Sequence, residues 1–191
     1  VFAIVQALQE QHFQWRTIID NVSIEDRRSA FHAVATGDAV LTLIARGMKN
    51  DHSKLAPENL DISEQLAAEI DNLAGGLPDF LRRQLTFPYR HGARFVYWAL
   101  KSKGWSGVNG LYVDPPLSTA QILHPEKYFV EREPPLRFFP AQLLRRFKDG
   151  AIVEQTLGED LMIGLLADGR SVRAAEETAA VSEGMIGRSA A

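Results

Sequence analysis

The stretch from Ile24 to Met48 constrains this chain more than any other, because it is apolar on nearly every side. Phe31, Val34, Leu41 and Met48 make one stripe at helical spacing, and Ala33, Val40 and Ile44 make another. A helix with two apolar stripes must be wrapped by other elements, which places it at the centre of the core. Asp38 falls on the first stripe. A carboxylate buried there needs a partner, and Arg27, Arg28 and His12 are the candidates.

The remaining segments read mostly as helices able to wrap it. Val1, Ile4, Val5, Leu8 and then Trp15 predict a first helix with one buried face. Lys49 to Asn59 is polar and reads as a loop. Asp61 with Glu64 resembles a capping box, opening a helix through Ile62, Leu66, Ile70 and Leu73 that stops at Gly75-Gly76. Pro78 opens a short helix to Leu85, and Pro88 opens another that turns Phe95, Val96, Ala99 and Leu100 inward and stops at Gly104. Ser118 or Thr119 caps a helix ending before Pro125. Pro134-Pro135 and Pro140 enforce an extended link. Further helices are expected over Ala141 to Lys148, Glu159 to Ala167 and Ala174 to Val181, with one strand at Ala151 to Thr156. The class is mainly α with little β, in a single domain over residues 1–191.

Composition narrows the function. The 191 residues carry a net charge of −3, which gives no reason to expect nucleic acid or anionic membrane as a partner. The basic pairs Arg82-Arg83 and Arg145-Arg146 read as solvated helix faces. Cysteine is absent, so disulfides, thiolate metal sites and cysteine nucleophiles are excluded. No apolar run is long enough for direct membrane insertion.

The first helix, VFAIVQALQEQHF (Val1 to Phe13), resembles the zinc-binding helix of bacterial exported gluzincin-type metallopeptidases, where the stretch runs H-E-L-x-H-A-L-Q-D-Q-H-F. Phe2, Ala3 and Gln6 stand where that family has its first histidine, its glutamate and its second histidine. In RSAFHAVATGDAV (Arg28 to Val40), Gly37, Asp38 and Ala39 are kept, but Thr36 stands in the place of the third ligand, a glutamate. FPYRHGARFVYWALKSKGW (Phe87 to Trp105) and PPLSTAQILHPEKYF (Pro115 to Phe129) are similar to F-P-Y-x-x-G-x-x-F-V and P-P-x-S-T-E-Q-I-L-H-P-E-K-Y. TLGE (Thr156 to Glu159) matches T-L-G-E-L, and GMIGR (Gly184 to Arg188) weakly resembles G-W-G-G-D-R. The resemblance implies a zincin-like helical domain lacking its N-terminal sheet and truncated at both ends, from an exported or cell-envelope protein.

It also implies lost chemistry. A zinc peptidase needs two imidazoles one helical turn apart and a glutamate to take a proton from the metal-bound water. Phe2, Ala3, Gln6 and Thr36 supply none of these, so no metal, cofactor or catalytic residue is expected. The chain then reads as an inactive homologue that binds a peptide or protein or serves as structure. One alternative is an enzyme with a non-zinc site around His124, Glu126, Asp38 and Tyr89; another is a purely structural interaction domain. Asp38, Tyr89, His124 and Glu126 are in either case candidates for lining a groove or supporting the old site. Tyr89 and Tyr97 could match the tyrosine that steadies an oxyanion in gluzincins, though core packing is the simpler role. Asp38 and Glu159 form a carboxylate pair of unknown separation. His32 and His52 are expected to face solvent, and His12 to be structural.

Overall fold

The computed structural model describes residues 2–49, 55–56, 60–135 and 157–167, and every regular element among them is a helix. In chain order these are α1 (Phe2–Phe13), α2 (Trp15–Asp20), α3 (Glu25–Gly47), α4 (Asp61–Leu73), α5 (Asp79–Val113), α6 (Thr119–Leu123), α7 (Glu126–Phe129) and α8 (Glu159–Leu166). The mainly helical class is as the sequence predicts. The expected strand at Ala151 to Thr156, the helices over Ala141 to Lys148 and Ala174 to Val181, Pro140, Arg145-Arg146, His52 and the GMIGR segment lie outside the described residues.

Helix α3 is the axis. From Ala33 to Leu41 every residue is buried, and Phe31, Val34, Val40 and Leu41 are among the largest fully buried side chains. Each such apolar side chain contributes roughly 1.5–3 kcal/mol over leaving it in water. Its most extensive neighbour is α5. The two backbones touch where Gly37 meets Gly92: a Cβ at Gly37 would lie 2.2 Å from the Gly92 carbonyl carbon, and one at Gly92 would lie 2.2 Å from the Ala33 oxygen. Ordinary side chains cannot occupy that crossing. Phe87, Phe95, Val96 and Ala99 of α5 then fill the core on either side.

Three features of the fold depart from the sequence expectations. Pro88 does not open a new helix but lies inside α5, buried with Thr86 and Phe87. It removes one backbone donor, and packing on α3 outweighs that loss. Gly104 does not stop α5; at φ 62° it makes a kink with Lys103, after which the helix resumes to Val113. At α4 no side chain caps the first turn. Its N-cap is Leu60, whose carbonyl accepts a bond from the Ser63 hydroxyl at 2.5 Å, so Asp61 and Glu64 support the helix end through charge rather than as a capping box. By contrast Ser118 does cap α6, accepting from the Gln121 N–H at 3.4 Å.

Helix α1 presents a different face from the one expected. Ile4 and Leu8 are 63% and 58% exposed, while Gln9 is buried and Phe2, Val5, Gln6 and Phe13 are partly buried. Residues 2, 5, 6, 9 and 13 also satisfy helical spacing. That mixed stripe wins because its buried polar member, Gln9, finds partners inside.

Candidate functional site

Two groups of buried polar side chains stand out, one on each side of α3. The first joins α1, α3 and α5. Gln9 Nε2 donates to Asp38 Oδ2 at 2.8 Å and to the Ala35 carbonyl at 3.1 Å, and the Tyr112 hydroxyl donates to the same Asp38 oxygen at 2.8 Å. Asp38 is therefore buried with partners, as its position on the stripe demands. Those partners are neutral and are not Arg27, Arg28 or His12. Arg28 lies ten residues earlier on the same helix, about 15 Å along its axis, and pairs with Glu25. His12 is exposed, edge-on to Phe13. Burial pushes the Asp38 carboxyl up from its ordinary range, while the bonds from Tyr112, Gln9 and Thr42 oppose that rise.

Two aromatic ring pairs also pack α1 against α5. Phe13 stacks on Tyr112 with centroids 4.0 Å apart and planes within 3°, and Phe2 stacks on Tyr89 at 6.0 Å. Tyr89 thus belongs to the packing around Phe2, and burial raises its hydroxyl pKa. The Tyr97 hydroxyl donates to the Leu55 carbonyl. Thr36 is fully buried, with its hydroxyl unpartnered. On a helix with 100° per residue, Thr36 and Asp38 point to nearly opposite sides of α3, and α1 approaches through Asp38 and Ala35. Among the described residues no hydrogen bond or ring contact joins Thr36 to Phe2 or Gln6. The groups at Phe2, Ala3, Gln6 and Thr36 are a ring, a methyl, an amide and a hydroxyl, a donor set that does not fit zinc. Among the described residues no cluster of three or more His, Asp or Glu could hold a metal ion.

The second group lies where α3 begins and α6 and α8 meet α5. Asp26 Oδ1 accepts from the Thr119 hydroxyl at 2.5 Å and from the Thr119 N–H at 3.1 Å. That hydroxyl in turn accepts from the Asp160 N–H at 3.3 Å. Arg83 Nε donates to Asp160 Oδ1 at 2.8 Å. Arg83 is therefore mostly buried and paired, not a solvated basic residue as the sequence suggests. His124 Nε2 lies 2.9 Å from Glu159 Oε1, and its Nδ1 lies 3.7 Å from Glu126. Gly158 is pressed so closely on Asp26 that a Cβ there would lie 1.6 Å from its carboxylate oxygen. Burial raises the Asp160 carboxyl to about 6, against the pull of Arg83. The bond to Glu159 raises the His124 pKa, with burial opposing it.

The candidates thus divide between two places. His124 and Glu126 come together, with Glu159 added, while Asp38 and Tyr89 stand with α1. Asp38 and Glu159 are not a pair: they belong to separate groups with separate partners. His32 is not solvent-facing as expected; it is partly buried, stacked on Trp15, and its pKa is lowered by burial and then by Arg16. Sequence reading missed Gln9, Tyr112, Asp26, Arg83, Thr119 and Asp160. Thr119 sits within the PPLSTAQILHPEKYF segment and Asp160 directly follows TLGE, so the signal available was that those two segments stand out together.

Comparison with protein families, curated proteins and solved structures found no match to the chain.

Proposed function

We propose that this chain is a catalytically inactive relative of gluzincin-type zinc metallopeptidases, with a zincin-like helical fold, that binds a peptide or protein without cutting it. The observation that carries this reading is the occupancy of the inward face of α1. Phe2 spends that face on a ring contact with Tyr89, and Gln9 spends it on Asp38 and the Ala35 carbonyl. Neither position offers a metal ligand or a base. The outward face, with Ile4 and Leu8 exposed, supports binding as the remaining role. A digest of a mixed fluorogenic peptide library, with zinc added or chelated, tests this. No cleavage that depends on zinc is expected; cleavage restored by zinc and abolished by chelation would refute it.

One observation favours a second reading, an enzyme without zinc. His124 is partly exposed and bonded to the buried Glu159, an arrangement able to hold and pass a proton. Of the other residues weighed for that site, only Glu126 is near. Asp38 and Tyr89 are engaged elsewhere, which leaves the dyad without a second catalytic group and makes this the weaker reading.

A further inference from the structure

Among the described residues, a short list of contacts holds helix α8 to α3, α5 and α6. Ile163 is buried against Leu123, and Gly164 lets α8 approach Phe80 of α5. The polar contacts are Asp160 with Arg83 and Thr119, and Glu159 with His124. Glu159 is the critical one. It is only 3% exposed, its Oε2 has no hydrogen-bond partner, and its one ion-pair partner among the described residues is His124. A buried carboxylate without a counter-charge is costly. Among the described residues the counter-charge to Glu159 exists only while His124 keeps its proton.

We infer that α8 is an acid-closed latch, docked on α5 and α6 by protonated His124 against Glu159 and loosened when His124 gives up that proton. This does not depend on the proposed peptidase ancestry. Among the described residues the neighbouring charges are few. His124 faces Glu159 from α8 and Glu126 and Lys127 from α7; Asp160 faces Arg83 and Arg90 from α5 and Asp26 from α3. Docking raises the His124 pKa, so the docked state holds an extra proton between the free histidine value and the docked one. Stabilisation from His124 is fully present below the free value and is lost as pH rises through the docked value. Asp160 acts in the same direction at lower pH. Its carboxyl is raised to about 6, so ionising it as pH climbs toward 6 also weakens docking. Both groups make the latch tighter in mild acid and looser in mild base. Release would uncover Ile163, which is buried in the docked state, and expose more of the partly buried Leu123 and Phe80.

Hydrogen exchange of the full chain at pH 5.5 and 8.5, corrected for the intrinsic rate, reads this directly. Amides of the 157–167 segment should exchange several-fold faster at the higher pH, while the α3 and α5 amides keep their protection. His124→Gln retains a donor to Glu159 but no titrating charge, so its pH step in this segment should shrink to the part that Asp160 contributes. Should α3 and α5 lose protection in that variant, Glu159→Gln takes its place and should reduce the step in the same way by removing the buried charge. A flat profile in the wild-type protein, or a pH step as large as the wild-type one in either folded variant, would overturn the latch.

Discussion

Asp38 and Asp160 are both buried carboxylates with raised pKa values, yet they are held in opposite ways. Asp38 has an amide and a phenol for partners, both neutral and both donating at 2.8 Å. The Asp160 carboxylate has a guanidinium, Arg83, for its partner and a second carboxylate, Asp26, nearby, while its own backbone N–H donates to the Thr119 hydroxyl. The first arrangement ties three helices together through donors that keep their protons at any working pH. The second lies next in sequence to the histidine-bound Glu159 and changes its charge between mild acid and neutrality. Burial alone therefore does not say what a carboxylate does; the ionisation of its partners does.

The sharpest way to break this contrast is at Asp38. Asp38→Ala leaves the Tyr112 hydroxyl buried without its acceptor and opens space between α1 and α3, at a cost of about 3 kcal/mol. Asp38→Asn keeps an acceptor oxygen and removes the buried charge, so its urea midpoint should lie within about 1 kcal/mol of the parent. Equal losses in the two variants would mean that the charge of Asp38, not its hydrogen bonding, holds the helices.

Arg83→Met should cost about 2 kcal/mol at pH 8, because it leaves ionised Asp160 buried beside Asp26. At pH 5 the cost should be much smaller. Asp160, with its carboxyl raised to about 6, is then mostly protonated and needs no cation. Urea unfolding at both pH values gives the comparison, and an equal loss at each would show that Asp160 does not titrate where its surroundings place it. Smaller again is Phe2→Ala. Its ring is partly buried on Tyr89, so about 1.5 kcal/mol is expected. The outward Ile4→Ala should change stability by less than about 0.5 kcal/mol. The reverse order would mean that α1 is turned the other way.

Much of the bundle is legible in the sequence because its signals are local. The two stripes of α3, the Ser118 cap and the α8 periodicity each depend on residues a few positions apart. The face of α1 is less legible, since Ile4/Leu8 and Phe2/Val5/Gln9 both have helical spacing. Only Asp38, 29 residues after Gln9, decides between them. Pro88 and Gly104 mislead for a related reason: each is a local breaker, and the fit of α5 on α3 at Gly37 and Gly92 carries the helix past both. The polar partners are least legible of all. Tyr112 reaches Asp38 across 74 positions and Arg83 reaches Asp160 across 77, and no spacing rule links residues so far apart. His124 and Glu159 were each visible as candidates, but their pairing across 35 positions was not.

The proposal that packing stands in place of metal chemistry on the inward face of α1 is tested most directly by calorimetric titration of zinc into the metal-stripped protein, with Phe2→Ala alongside. The expected result is no saturable uptake near one zinc per chain in either protein, because an amide and a hydroxyl at Gln6 and Thr36 are poor ligands for this ion. One tightly bound zinc per chain, lost when Gln6 or Thr36 is changed to alanine, would contradict it.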